Sequence, residues 1–182
     1  MSKKDRLLDL LRDRSLSRKK FVLASGRESD FFIDCKQAVL TAEGHALAGE
    51  LMLAEAEKMG AVAVAGVELG GCPLASAVSL SSFSGKKPID ALYVRKEAKD
   101  HGSRHLIEGD TRLEKGARVV LLEDVITTGG STLRAAETLK SAGHEVAGVI
   151  ALVDRSEGGR EAIEKIGLRL VALYTRRDFI ED

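Results

Sequence analysis

Between residues 119 and 139 the chain sets out one local pattern that restricts its fold more than any other. Val119, Val120, Leu121 and Leu122 lead into two adjacent carboxylates, Glu123 and Asp124. Val125 and Ile126 follow, and then a turn of small residues, Thr127, Thr128, Gly129, Gly130 and Ser131, opens the helical spacing of Leu133, Ala136 and Leu139. A short apolar run without alternation predicts a parallel strand buried on both faces, so the stretch is expected to fold as strand, turn and helix. Such a turn leaves backbone N–H groups uncovered at a helix N-terminus, which favours an anion. Glycines admit close backbone approach and the hydroxyls add donors, so neutral groups alone can hold a phosphate monoester. Glu123 and Asp124, at the strand's end, suit vicinal sugar hydroxyls or a magnesium ion carried in by a diphosphate. A plainer reading has the acidic pair cap the helix and the glycines merely make the turn.

A second turn of this kind follows the run Ala61 to Val67. Glu68, Leu69, Gly70, Gly71, Cys72 and Pro73 lie there, before the helical stretch 74–80. Glycine turns at the carboxyl ends of neighbouring parallel strands would face one crevice, the usual ligand position in open α/β sheets; a tight turn without function is the alternative. The remaining signals alternate in the same way. The pattern predicts an amphipathic helix over 3–14, two short strands around a turn over 21–34, and a long helix from Thr41 to Met59 stopped by Gly60. Residues 79–87 read as a linker, followed by strands over 89–94, 146–153 and 168–174 and a short helix over 160–166. The expected fold is therefore α/β, a parallel-centred sheet flanked by helices, in a single domain 1–182 with a small N-terminal hood over about 1–40.

Two further segments carry candidate chemistry. Residues 95–105 hold Arg95, Lys96, Lys99 and Arg104 against Glu97 and Asp100, with His101 and His105 beside them, a local cationic excess in a chain whose 28 basic and 28 acidic residues balance. A solvated charged turn is the ordinary reading of such a run. Arg155 stands at a strand's carboxyl end, where it can grip a planar carboxylate bidentately or pair with Asp154 or Glu157. In the hood, the neighbouring Phe31 and Phe32 should point to opposite faces of a strand, leaving at least one to cover a flat ring unless both pack the hood; Lys36 follows them.

Taken together, these segments resemble a known family. The acidic pair, two apolar residues and Thr-Thr-Gly-Gly-Ser-Thr are similar to the phosphoribosyl-diphosphate signature of type I phosphoribosyltransferases. Arg95-Lys96-Glu97-x-Lys99-x-His101-Gly102 resembles the catalytic loop of the orotate phosphoribosyltransferases, as do Ser-Gly-Arg-x-Ser-x-Phe-Phe in the hood and Asp-Arg-x-Glu-Gly around Arg155. This resemblance implies that Arg95, Lys96, Lys99 and His101 meet a departing pyrophosphate. It implies that Glu123 to Ser131 hold the ribose and 5′-phosphate, with Asp124 near magnesium, and that Glu68, Leu69, Gly70 and Gly71 cradle the diphosphate. Thr127, Arg155, Lys36, Phe31 and Phe32 would take orotate. It further implies a homodimer whose catalytic loop is shared across the interface.

Other classes fit less well. Gly85-Lys86 is not a phosphate-binding Walker loop, since Leu80 stands where its first glycine belongs and Lys87 where Ser or Thr would follow, and no G-x-G-x-x-G occurs. An RNA-binding regulator on the same fold is a second reading, opposed by zero net charge and 4% aromatic content. Another nucleobase phosphoribosyltransferase is a third, opposed by the loop spacing and Arg155. No apolar run approaches the roughly 18 residues of a membrane span, and a cytoplasmic protein is expected. Cys35 and Cys72 lack metal or disulfide spacing and read as free thiols near the site.

Overall fold

The computed structural model describes residues 1–17, 21–22, 28–29, 31–85, 87–97 and 105–180. Helix α1 (Lys3–Arg14) opens on a capping box, in which Ser2 and Asp5 exchange bonds between side chain and backbone, and it buries Leu7, Leu10 and Leu11. The hood continues as four two-residue strands, β1 (Leu16–Ser17), β2 (Phe21–Val22), β3 (Glu28–Ser29) and β4 (Phe32–Ile33). They pair antiparallel as β1 with β4 and β2 with β3, so the expected single hairpin over 21–34 is instead an inner pair enclosed by an outer one. Lys36 follows the end of β4 and opens a one-turn helix, α2 (Lys36–Val39), which leads to α3 (Ala42–Lys58). Thr41 caps α3 through its hydroxyl, and Gly60, at φ 69°, ends that segment in a conformation that favours glycine.

From there strand and helix alternate: β5 (Ala63–Val67), α4 (Gly71–Ser82), β6 (Asp90–Val94), β7 (Ile107–Glu108), β8 (Arg118–Ile126), α5 (Gly130–Ser141), β9 (Glu145–Asp154), α6 (Gly159–Lys165) and β10 (Leu170–Thr175). Residues 79–82 belong to α4 rather than to a linker. The Ser82 hydroxyl bonds back to the Ser79 carbonyl at 2.7 Å and accepts from Ile89 N–H at 2.8 Å, satisfying polar groups that in sequence suggest a loop.

Among the described residues the strands form one sheet in the order β10-β9-β8-β5-β6-β7, parallel except where β7 pairs antiparallel with β6. Counting the parallel strands alone in chain order gives 5-4-3-1-2, so the connections reverse direction between β5 and β8. Strand alternation divides the core. Val64, Val120, Leu122, Ile150 and Leu152 face α1, α3 and α4, while Ala63, Ala65, Val119, Leu121, Val149 and Ala151 face α5 and α6. The β6–β7 pairing also shortens the cationic connection. It runs from 95 to 106, since Ile107 and Glu108 are already strand and Asp110–Arg112 a 3₁₀ turn.

Candidate active site

Where the sheet order reverses, two parallel strands leave their carboxyl ends side by side with their helices on opposite faces, which opens a crevice. Here both glycine turns fall into it. The turn after β5 and the acidic end of β8 approach so closely that a Cβ added to Gly70 would stand 2.1 Å from the Asp124 carboxyl, and one on Gly71 2.2 Å from the Leu122 carbonyl. Only glycine fits at either position. The Glu68–Leu69 peptide bond in this turn is cis. The Glu68 carboxylate accepts from Lys96 N–H at 3.0 Å, tying the β5 turn to the start of the cationic connection.

The turn after β8 offers donors. Among the described residues, no backbone carbonyl accepts from the N–H groups of Thr127, Thr128, Gly129, Gly130, Ser131 or Thr132. Gly129 adopts φ 80°, and α5 starts immediately after it. The first-turn amides of a helix of this length point at whatever anion occupies the turn. Gly159 supports the turn from α6, where a Cβ would come within 2.6 Å of the Thr127 carbonyl.

The acidic pair separates because adjacent strand residues face opposite sides. Glu123 turns toward α5, where one oxygen accepts from Ser131 Oγ at 2.8 Å and Thr132 Oγ1 at 3.0 Å. Burial pushes its carboxyl up to about 7, partly opposed by the Ser131 bond. Asp124 turns toward α4 and the hood. Burial raises its carboxyl above the ordinary aspartate value while the Lys36 ammonium, 3.8 Å away, opposes the rise. Lys36 also pairs with Asp34 at 2.6 Å, and that bond raises its own value. Lys36, Asp124 and Gly70 thus converge at the crevice, where the resemblance places all three.

Arg155 is anchored by tertiary contacts. Its backbone N–H donates to the Ile126 carbonyl at 2.9 Å, which places it beside the phosphate turn. Its guanidinium donates to the Phe31 carbonyl at 3.0 Å, pairs with Glu157 at 2.7 Å and lies 5.6 Å from the Phe31 ring centroid. Asp154, the other proposed partner, instead takes Arg160. Phe31 is fully buried, its ring 5.9 Å from that of Phe179, whereas Phe32 is 41% exposed. Of the two, Phe32 is left to cover a ring, and Phe31 contributes its carbonyl and packing. Arg95 pairs with Glu108 at 3.6 Å. Lys99 and His101 lie outside the described residues.

Among the described residues no three His, Cys, Asp or Glu side chains converge as a metal cage. One deep carboxylate, Asp124, suits a magnesium ion that arrives on a diphosphate and keeps much of its water. Both thiols are buried. Burial raises Cys35 well above its ordinary value and Cys72 to about 11, so neither is an activated nucleophile.

The contact at Gly70 yields a direct test. Gly70→Ala drives a methyl group into the Asp124 carboxylate, so either that carboxylate swings out of its place or the turn shifts; we expect the KM for a diphosphate-bearing substrate to rise at least tenfold, with about 1–3 kcal/mol lost in stability. Steady-state kinetics and a thermal unfolding curve check this. An unchanged KM would mean the turn does not face the diphosphate.

Comparison with known proteins gives this geometry its context. Residues 41–170 match the phosphoribosyl transferase domain family. Over its whole length the chain is 67% identical to the orotate phosphoribosyltransferase of Sorangium cellulosum, covering 95% of that protein. The crystal structure of Mycobacterium tuberculosis orotate phosphoribosyltransferase with Fe(III) dicitrate superposes with a TM-score of 0.84 at 38% identity, covering 98% of this chain and 99% of that one. A structure of that enzyme in complex with 5-phospho-α-D-ribosyl 1-diphosphate superposes with a TM-score of 0.80 at 36% identity, with coverage of 98% and 99%.

Proposed function

This chain belongs to the orotate phosphoribosyltransferases, and from that membership we propose how its residues share the work of moving a phosphoribosyl group from 5-phospho-α-D-ribosyl 1-diphosphate to orotate, with release of pyrophosphate. The observation that carries the assignment of parts is the meeting of the two glycine turns at the sheet's reversal, Gly70 against Asp124. The uncovered amides of Thr127 to Ser131 and the hydroxyls of Thr127 and Thr128 hold the 5′-phosphate. Asp124, with Val125 and Ile126 fixing it at the strand's end, accepts from the ribose hydroxyls. Glu123 orders the turn through Ser131 and Thr132 and supplies a second carboxylate if that network opens. The backbone of Glu68 to Gly71 receives the diphosphate.

Bond breaking at the anomeric carbon leaves negative charge on the pyrophosphate and a cationic sugar. Arg95, Lys96, Lys99 and His101 are assigned to the leaving group, where fixed positive charge in a site shielded from water is most effective. Magnesium, held by Asp124 and substrate oxygens, would add charge neutralisation on the diphosphate. Orotate lies between Arg155, Thr127, Lys36 and the hood, with Phe32 over its ring. Loss of orotate absorbance on adding phosphoribosyl diphosphate and magnesium tests the reading. Chelation of the metal should stop the reaction, and a full rate after chelation would remove magnesium from it.

We also infer a homodimer in which the 95–106 connection crosses to the partner's site. Two features support this. The connection is longer than most in a compact domain, and Leu80 on α4, Phe83 just past its end and Tyr93 on β6 expose apolar surface on elements that pack together. Mixing inactive Lys99→Ala with inactive Asp124→Asn under subunit exchange should restore activity toward about a quarter of wild type, since about half the dimers are mixed and each has one intact site. No recovery, with exchange verified by mass, would place Lys99 in its own subunit's site. No helix among the described residues is long and apolar enough to cross a membrane. Action in the cytoplasm is part of the same proposal, as is the absence of a nucleic-acid partner, for which zero net charge is the support.

A further inference from the structure

On the α5 face of the sheet, beneath the start of the cationic connection, lies a cavity of about 260 Å³ lined by Val67, Arg95, Lys96, Ser131, Arg134 and Glu137, among others. Arg134 has no part in the site as described so far. It stands one turn into α5, and side chains on a helix lean toward its N-terminus. Its guanidinium accordingly reaches back over the first turn, with Nη1 3.6 Å from where a Cβ on Gly130 would stand. A cation in that position opposes the helix dipole, an arrangement that is unfavourable until an anion occupies the turn. Among the described residues, neither Arg134 nor the Lys96 ammonium has an ion-pair partner, whereas Arg95 leans on Glu108. Glu137, exposed on the next turn, is the one carboxylate lining the cavity, and no ion pair joins it to Arg134. Charge, direction and the uncovered amides all favour one kind of guest at the head of α5, a dianionic phosphate.

We propose that Arg134 is a binding residue for the terminal phosphate of the phosphoribosyl substrate, closing over the phosphate held in the 127–131 turn from the α5 side. This rests on the proposed function for the location of the 5′-phosphate. A planar guanidinium supplies paired donors to two phosphate oxygens together with a full positive charge, which the turn's neutral amides and hydroxyls do not carry. The glycine turn proposed to receive the diphosphate opens α4 at Gly70 and Gly71, whereas Arg134 leans over Gly130 at the head of α5, beside the turn proposed to hold the terminal phosphate.

The test uses calorimetric titration of the intact protein with ribose 5-phosphate, which carries only the terminal phosphate, and separately with pyrophosphate. Arg134→Met keeps the length and apolar stem of an exposed side chain, and Arg134→Lys keeps the charge. Ribose 5-phosphate should bind the Met variant about tenfold more weakly than wild type, about 1.4 kcal/mol, with partial recovery in the Lys variant. Pyrophosphate affinity should be unchanged, and in turnover the KM for phosphoribosyl diphosphate should rise while the KM for orotate stays within twofold. Equal ribose 5-phosphate affinity in wild type and Arg134→Met, or an equal loss for both ligands, would overturn the proposal. Failure of the wild-type protein to consume orotate would instead overturn the functional reading, and the two results are separable because the titration needs no turnover.

Discussion

Replacing Asp124 by Asn is expected to lower kcat/KM for phosphoribosyl diphosphate about 100-fold or more while the fold persists. Asn has the same shape, so it still fits against Gly70 and beneath the hood, and the chain's turn is not displaced. What disappears is a carboxylate whose few competing contacts are its own strand-end amide, Val125 N–H at 2.9 Å, and a Lys36 ammonium at 3.8 Å. A charge-assisted hydrogen bond contributes about 1.5–3 kcal/mol, and a neutral amide both weakens the acceptor and presents a donor where sugar hydroxyls also donate. Loss of the charge also removes the carboxylate offered to magnesium. The Lys36–Asp34 pair remains, so orotate affinity should move far less. Kinetics with phosphoribosyl diphosphate limiting provide the check, and near-parental kcat/KM would show that Asp124 does not face the sugar.

Arg155→Ala should cost orotate recognition about 2–5 kcal/mol, or roughly 30-fold to several thousand-fold in kcat/KM for orotate, the range expected for a charged contact shielded from water. The structure makes the prediction sharper than the sequence did. Arg155 is buried, and its partner Glu157 is near the surface, with a side chain 21% exposed. Truncation therefore strands no deeply buried charge, and the deficit should fall on the ligand rather than on folding. Arg155→Lys should recover only part, because an ammonium cannot reproduce two parallel N–H bonds to a carboxylate or reach the Phe31 carbonyl at the same time. The thermal midpoint of the Lys variant should stay near that of wild type. A small change in orotate KM with unchanged kcat in Arg155→Ala would move the carboxylate site elsewhere.

Most of what positions the site was legible because it is local. The β8 run, its turn and the start of α5 are set by neighbours in the chain, and Thr41 and Gly60 bound α3 through a cap and a positive-φ stop that sequence alone announces. What escaped depends on partners distant in sequence. Serine at 79, 81 and 82 reads as loop, yet these residues extend α4 because small side chains let α3 approach: a Cβ on Gly49 would lie 2.6 Å from the Ala77 carbonyl. The hood's bond to Arg155 joins residues 31 and 155, and no periodicity foretells it. Glu123 and Asp124 look like one acidic pair in sequence, but strand alternation gives them different neighbours, and only the fold shows Ser131 and Thr132 meeting the first of them. Arg134 went unread for a related reason, since it fits an ordinary amphipathic helix.

The central claim is that one crevice, formed where β5 and β8 meet, transfers a phosphoribosyl group to orotate and to no other base. The direct measurement incubates the purified protein with phosphoribosyl diphosphate and magnesium, with orotate, uracil, adenine or hypoxanthine offered in turn, and quantifies nucleotide and pyrophosphate by mass spectrometry. Orotidine 5′-phosphate and pyrophosphate should form in equal amounts from orotate alone, with the other three bases returned unchanged. Nucleotide formed from another base at a comparable rate, or pyrophosphate released without nucleotide, would contradict the account.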